Sequence, residues 1–148
     1  MDRQDIVMEW FQIAYEDLDN AQFLFDNKHP KPLEIICYLC QQSAEKSLKG
    51  YLCDRGIEVP KTHEVGLLCH RCAEYSPAFA EYFDVCEELT LYATQTRYPN
   101  RIEVEEHDAR RVLRWAADLY NLSLEQCQLI EPTIVDEPEQ SGPTMRMM

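Results

Sequence analysis

Apolar residues recur every three or four positions along most of this chain, which is the spacing of amphipathic helices. No strand-length run of alternating apolar and polar residues, bounded by hairpin turns, interrupts this pattern. Glycine occurs only 4 times in 148 residues, so the turns that a sheet protein needs are scarce. The sequence therefore predicts an all-α fold of one compact domain, an up-and-down helical bundle of about five helices.

Proline, glycine and the apolar periodicity set the expected bounds of these helices. We expect long helices at residues 4–26, 32–53, 77–93 and 104–130. A short helix is expected between the second and the fourth of the five, after Thr62. Thr62 is the expected N-cap of the third helix, and Gly56 is expected to end the second. Residues 131–148 contain three prolines and several acids with little apolar periodicity, which predicts a disordered tail after a domain at 1–130.

Charge and cysteine content limit the class of function. The formal net charge of −13 disfavours binding to duplex nucleic acid, because contacts from basic residues to phosphates supply most of that affinity. Seven cysteines, an odd number, and no basic-then-apolar leader predict a reducing, cytoplasmic location. No apolar run reaches the roughly 18 residues of a membrane span, so we expect no membrane contact.

Polar residues interrupt the apolar face of the second predicted helix. Gln42, Glu45 and Lys49 fall on the line that Tyr38 and Leu52 define at helical spacing. A buried polar group without a hydrogen-bond partner costs about 1–3 kcal/mol, and a buried charge costs more. The pattern therefore predicts a polar network at a helix interface or pocket.

The cysteine pairs Cys37-x-x-Cys40 and Cys69-x-x-Cys72 have a spacing that zinc sites also use. Both pairs fall within predicted helices, and free cysteine is a common small residue of helix cores. We therefore favour a packing role, and a zinc-bound structural protein is an alternative.

Arg101 and His107 form a second candidate pair, in which an arginine holds a phosphate and a histidine transfers a proton. Acidic residues surround them, among them Glu103, Glu105 and Glu106, and these would favour a protonated histidine and repel a phosphodiester. The structural reading is a loop arginine and a surface histidine in the first turn of the fifth helix. A metal-independent endoribonuclease that uses Arg101 and His107 remains an alternative.

Four separated motifs occur in a characteristic order. They are Trp10 with Ala14, Asp17-Leu18 and Ala21; Gln41-Gln42-Ser43-Ala44-Glu45-Lys46-Ser47-Leu48-Lys49; Lys61-Thr62-His63; and Arg97-Tyr98-Pro99. Together they resemble the HEPN domain (higher eukaryotes and prokaryotes nucleotide-binding) over about residues 5–128. This resemblance implies a helical bundle, usually a homodimer, encoded beside a small nucleotidyltransferase in toxin–antitoxin or regulatory pairs. It also implies that some relatives are metal-independent endoribonucleases whose Arg and His meet at a dimer cleft.

The ribonuclease motif is degenerate in this chain, because the apolar Ile102 follows Arg101 where the motif has a polar residue. The resemblance instead carries over a noncatalytic set: Gln42, Glu45, Lys49, His63, Arg97 and Tyr98. Glu45 is expected to pair with Lys49 or Arg97, and His63 and Arg97 are expected to contact a phosphate or a partner. We therefore predict a binding module that engages a nucleotidyltransferase, a nucleotide or both, with RNA as a ligand only under the alternative and with no cofactor or metal.

Overall fold

A computed structural model describes residues 1–95, 99 and 103–130 of the chain. In these residues the elements are α1 (Arg3–Asn27), α2 (Leu33–Asp54), α3 (Val65–Ala73), a 3₁₀ helix (Pro77–Tyr82), α4 (Phe83–Gln95) and α5 (Glu106–Gln126). This part of the chain contains no strand, which confirms the predicted all-α bundle. The predicted tail at 131–148 lies outside the described residues.

The second helix is the centre of the bundle. It packs against α1, α3, α4 and α5, and 14 of its 22 residues are buried. Gly50 permits the close approach of α1, because a Cβ at this position would lie 2.8 Å from Cε2 of the buried Phe11 ring. A helix that is covered on most sides must bury polar side chains wherever its sequence carries them, and this property produces the site described below.

Two predicted helix starts were wrong, and local hydrogen bonds explain both. Thr62 does not cap α3: its Oγ1 accepts a hydrogen bond from the backbone N–H of Glu64 at 3.1 Å, and the helix begins only at Val65. The fifth helix begins at Glu106, two residues later than expected. The backbone N–H of Glu105 donates to Oδ2 of Asp108 at 3.1 Å, the backbone N–H of Asp108 donates to the Glu105 carbonyl at 3.0 Å, and these two bonds fix the first turn.

The predicted fourth helix is two elements. Residues Pro77–Tyr82 form a 3₁₀ helix, and the α-helix begins at Phe83. Pro77 is favourable at the first turn of either helix type, so the sequence signal for a start was correct but did not distinguish them. Among the helices of the described part, none combines the length and apolar composition that a membrane crossing requires.

Candidate functional site

The candidate site is built on a buried ion pair of α2. Nζ of Lys49 lies 3.0 Å from Oε2 of Glu45, one helical turn away, and the two residues are only 6% and 1% exposed. The ammonium also lies 5.8 Å from the centre of the Trp10 ring on α1, within the range of a cation–π contact. The polar network that the sequence predicts on this face is therefore present.

His63 completes a triad with this ion pair. Its Nδ1 lies 3.0 Å from the same Oε2 of Glu45, although its side chain is 84% exposed. An ionised carboxylate only accepts hydrogen bonds, so the contact places a proton on Nδ1 and leaves Nε2 as the other polar atom of an exposed ring. The backbone is held as well, because Nε2 of Gln41 donates to the His63 carbonyl at 3.1 Å.

Opposing effects act on the pKa of Glu45. Burial raises it, but the hydrogen bonds from His63 and Lys49 and the charges of Lys49 and Lys46 lower it, and the net result lies below the ordinary value of 4.5. The other oxygen, Oε1, is buried and has no hydrogen-bond partner in the described part of the chain. Glu45 is thus an ionised, buried carboxylate at neutral pH, and its Oε2 accepts hydrogen bonds from Lys49 and His63.

Gln42 lies beside the triad and does not join it. It donates to Oε1 of Gln41 at 3.0 Å and accepts from Nζ of Lys46 at 2.8 Å. Lys49 and His63 thus both contact Oε2 of Glu45, and Gln42 lies beside them along the edge of the domain that the exposed His63 forms. Arg97 and Tyr98 lie outside the described residues, so their expected approach to Lys49 stays a prediction.

The environment of His107 is acidic. Its Nδ1 lies 3.5 Å from Oε1 of Glu105, its Nε2 lies 3.4 Å from Oδ1 of Asp108, and the side chain is 66% exposed. Asp108 also accepts from the hydroxyl of Tyr92 at 3.2 Å and forms an ion pair with Arg111 at 3.2 Å. Both ring nitrogens of His107 therefore face carboxylates at the N-terminus of α5.

Asp108 is held in its ionised form by these contacts. Burial raises its pKa, but the backbone N–H of Glu105, the hydroxyl of Tyr92 and the charges of His107 and Arg111 lower it, and the net direction is down. This carboxylate therefore stays charged beside the imidazole at neutral pH. Arg101, the predicted partner of His107, lies outside the described residues.

The four cysteines of the zinc alternative are core residues. Cys37, Cys40, Cys69 and Cys72 are all fully buried. Cys69 donates to the carbonyl of Phe79 at 3.3 Å, and burial raises the pKa of Cys37 to about 12. Across residues 1–95, 99 and 103–130, no three histidine, cysteine or acidic side chains are placed to hold a metal ion, so the arrangement that this alternative needs is not formed.

Two members of the site were not predicted. Trp10 was noted only as part of a motif, although this half-buried residue places its ring 5.8 Å from Nζ of Lys49. Gln41 was noted only as part of a motif, although it is the residue that anchors the His63 carbonyl. A clue to Trp10 was available, since a lysine on a buried helical face needs a favourable neighbour such as an aromatic ring or a carboxylate.

Comparison with known proteins agrees with this all-α bundle. The family model described as "HEPN domain" matches residues 7–127, and the chain belongs to this family. The crystal structure of an archaeal HEPN homologue superimposes with a TM-score of 0.64 at 28% sequence identity, covering 85% of this chain and 98% of that one. A search of curated protein sequences finds no significant match.

Proposed function

We propose that this HEPN domain is a binding module that acts as a homodimer with a small nucleotidyltransferase and contacts a nucleotide through the edge that His63 forms. The observation that supports it best is the anchored imidazole: a ring 84% exposed to solvent, hydrogen-bonded at 3.0 Å to a buried carboxylate. A ring that is already held in one orientation loses less conformational entropy when it binds a ligand.

The charge of this edge suits a phosphate. Lys49 balances the single negative charge of Glu45, a proton on both ring nitrogens of His63 would add a positive charge, and the exposed Lys61 precedes His63 by two residues. A charged hydrogen bond from an imidazolium to a phosphate oxygen is among the stronger polar contacts in proteins. Arg97 and Tyr98 belong to this proposal through the family resemblance.

A nucleotide titration tests the proposal. We expect His63→Ala to weaken the binding of ATP, measured by calorimetry with and without Mg²⁺, by about tenfold, the value of one charged hydrogen bond. His29→Ala is the matched control, because it removes another exposed histidine, in the connection between α1 and α2. Equal affinities of wild type and His63→Ala would contradict the proposal.

Arg97 provides a second test of the same edge. Arg97→Ala is expected to weaken ATP binding more than it lowers the melting temperature. The opposite result, a large fall in melting temperature with unchanged affinity, would assign Arg97 a structural role. Sedimentation of the purified protein tests the homodimer, and co-purification with a nucleotidyltransferase encoded beside it tests the partner.

The ribonuclease alternative is disfavoured by the contacts of His107. A general base needs an unoccupied nitrogen near the 2′-hydroxyl of RNA, but both nitrogens of this ring lie within 3.5 Å of carboxylates. Those carboxylates would also repel the phosphodiester. Incubation of the protein with RNA in chelator, with and without His107→Ala, checks this point, and cleavage that depends on His107 would restore the alternative.

A further inference from the structure

A cleft lies between α3 and α4. It includes Glu64, the residue that follows His63 in the sequence. Its volume is about 530 Å³, and side chains of Glu64, Leu67, His70, Glu87 and Leu91 line it. This volume is in the range of ligand-binding clefts. None of these five residues belongs to the triad of Glu45, Lys49 and His63.

The apolar part of the cleft is contributed by two exposed leucines. Leu67 is 54% exposed and Leu91 is 46% exposed, although the cores of their helices are filled by other residues. A single exposed leucine is ordinary on a protein surface, but two from different helices in one cleft form a patch that a partner can cover.

The polar part of the cleft includes two carboxylates and the His70 ring. Glu64 and Glu87 are exposed, and within the described part of the chain neither carboxylate forms an ion pair. Nδ1 of His70 lies 3.0 Å from the carbonyl of Gly66 and donates to it, so Nε2 is the other polar atom of the ring. The ring is fixed by stacking on Phe83, with centroids 3.7 Å apart and planes at 8°.

We propose that this cleft docks a segment of a protein partner that carries a lysine or arginine next to a leucine-sized apolar residue. The cation would meet the two carboxylates, and the apolar side chain would cover Leu67 and Leu91. The net charge of −13 steers a basic partner toward this protein. The inference rests on the proposed function only in that the domain acts by binding.

A fluorescent, amidated peptide of Leu-Lys-Lys-Leu repeats is the probe, and binding is followed by anisotropy. We expect Glu64→Gln/Glu87→Gln to weaken binding by about fivefold, as expected for the loss of two exposed ion pairs. Glu9→Gln/Glu16→Gln is the matched control, since it removes the same charge from exposed positions of α1. Equal weakening by both double variants would show nonspecific attraction and overturn the proposal.

A second pair of double variants tests the apolar contact of the peptide with Leu67 and Leu91. Leu67→Ala/Leu91→Ala is expected to weaken peptide binding more than Met8→Ala/Phe23→Ala does. The side chains replaced in this control lie on α1 and are 54% and 62% exposed. Equal effects of the two pairs, or no wild-type binding up to about 1 mM, would also overturn the proposal.

The variant His63→Ala distinguishes this inference from the proposed function. It is expected to lose ATP affinity but to keep peptide affinity, because His63 does not line the cleft. A chain that binds the peptide through Glu64 and Glu87 but binds no nucleotide would contradict the proposed function alone. Loss of peptide binding in His63→Ala would place the peptide at the triad and contradict the cleft.

Discussion

Replacing Lys49 with methionine tests the energetics of the buried triad. Methionine keeps most of the apolar stem of lysine but removes the ammonium that lies 3.0 Å from Glu45. Removal of one partner of a buried ion pair costs about 3–5 kcal/mol. Because His63 still donates to the same oxygen, we expect a smaller loss of unfolding free energy, about 2–4 kcal/mol.

Urea unfolding followed by circular dichroism at neutral pH and fixed protein concentration measures this loss. Glu45→Gln and the double variant Glu45→Gln/Lys49→Met complete a mutant cycle. The double variant is expected to lose less than the sum of the two single variants, by about 1 kcal/mol or more, because each single variant already removes the whole ion pair of Lys49 and Glu45. Additive losses, or a loss below about 1 kcal/mol in Lys49→Met, would refute the reasoning.

Three further changes have defined outcomes. The pKa of Glu45 lies below its ordinary value of 4.5, so its stabilisation is present above that pH and is lost as the pH falls through the lowered pKa; wild type and Glu45→Gln should therefore converge in stability in acid. Gly50→Ala should destabilise the bundle by about 1 kcal/mol in urea unfolding, since overpacking against Phe11 at 2.8 Å exceeds the gain in helix propensity. Asp54→Ala should cost about 2–3 kcal/mol and increase amide exchange at Gln128, whose backbone N–H donates to this buried carboxylate at 2.9 Å.

Much of the fold could be predicted because its determinants are local. The periodicity of α1 and α2 located both helices to within one residue at each end, since Pro30 and Pro32 lie between them and Gly56 follows α2. The polar network was predicted for a related reason. A helix whose apolar face carries Glu45 and Lys49 at i and i+4 must pair them with each other or with groups from elsewhere.

The rest depends on contacts between distant parts of the chain. His63 is 18 residues from Glu45, and helical periodicity does not predict that the connection after α2 folds back to bring His63 beside Glu45. The cleft between α3 and α4 arises from the packing of two helices. The sequence did not indicate that Leu67 and Leu91 lie together, because each lies outside the apolar stripe of its own helix. The 3₁₀ helix was missed because Pro77 starts both helix types equally well.

Stability alone does not account for charged residues at the centre of α2. Replacing a buried ion pair with apolar residues of similar volume is often neutral, or stabilising by about 1–4 kcal/mol, so Glu45→Leu/Lys49→Met should melt no lower than wild type. What this variant removes is the carboxylate that holds Nδ1 of His63 at 3.0 Å. If the triad exists to position the imidazole, the variant should remain folded and lose ATP affinity to the same degree as His63→Ala. Wild-type affinity in a folded Glu45→Leu/Lys49→Met protein would show that the anchoring of His63 has no part in nucleotide binding.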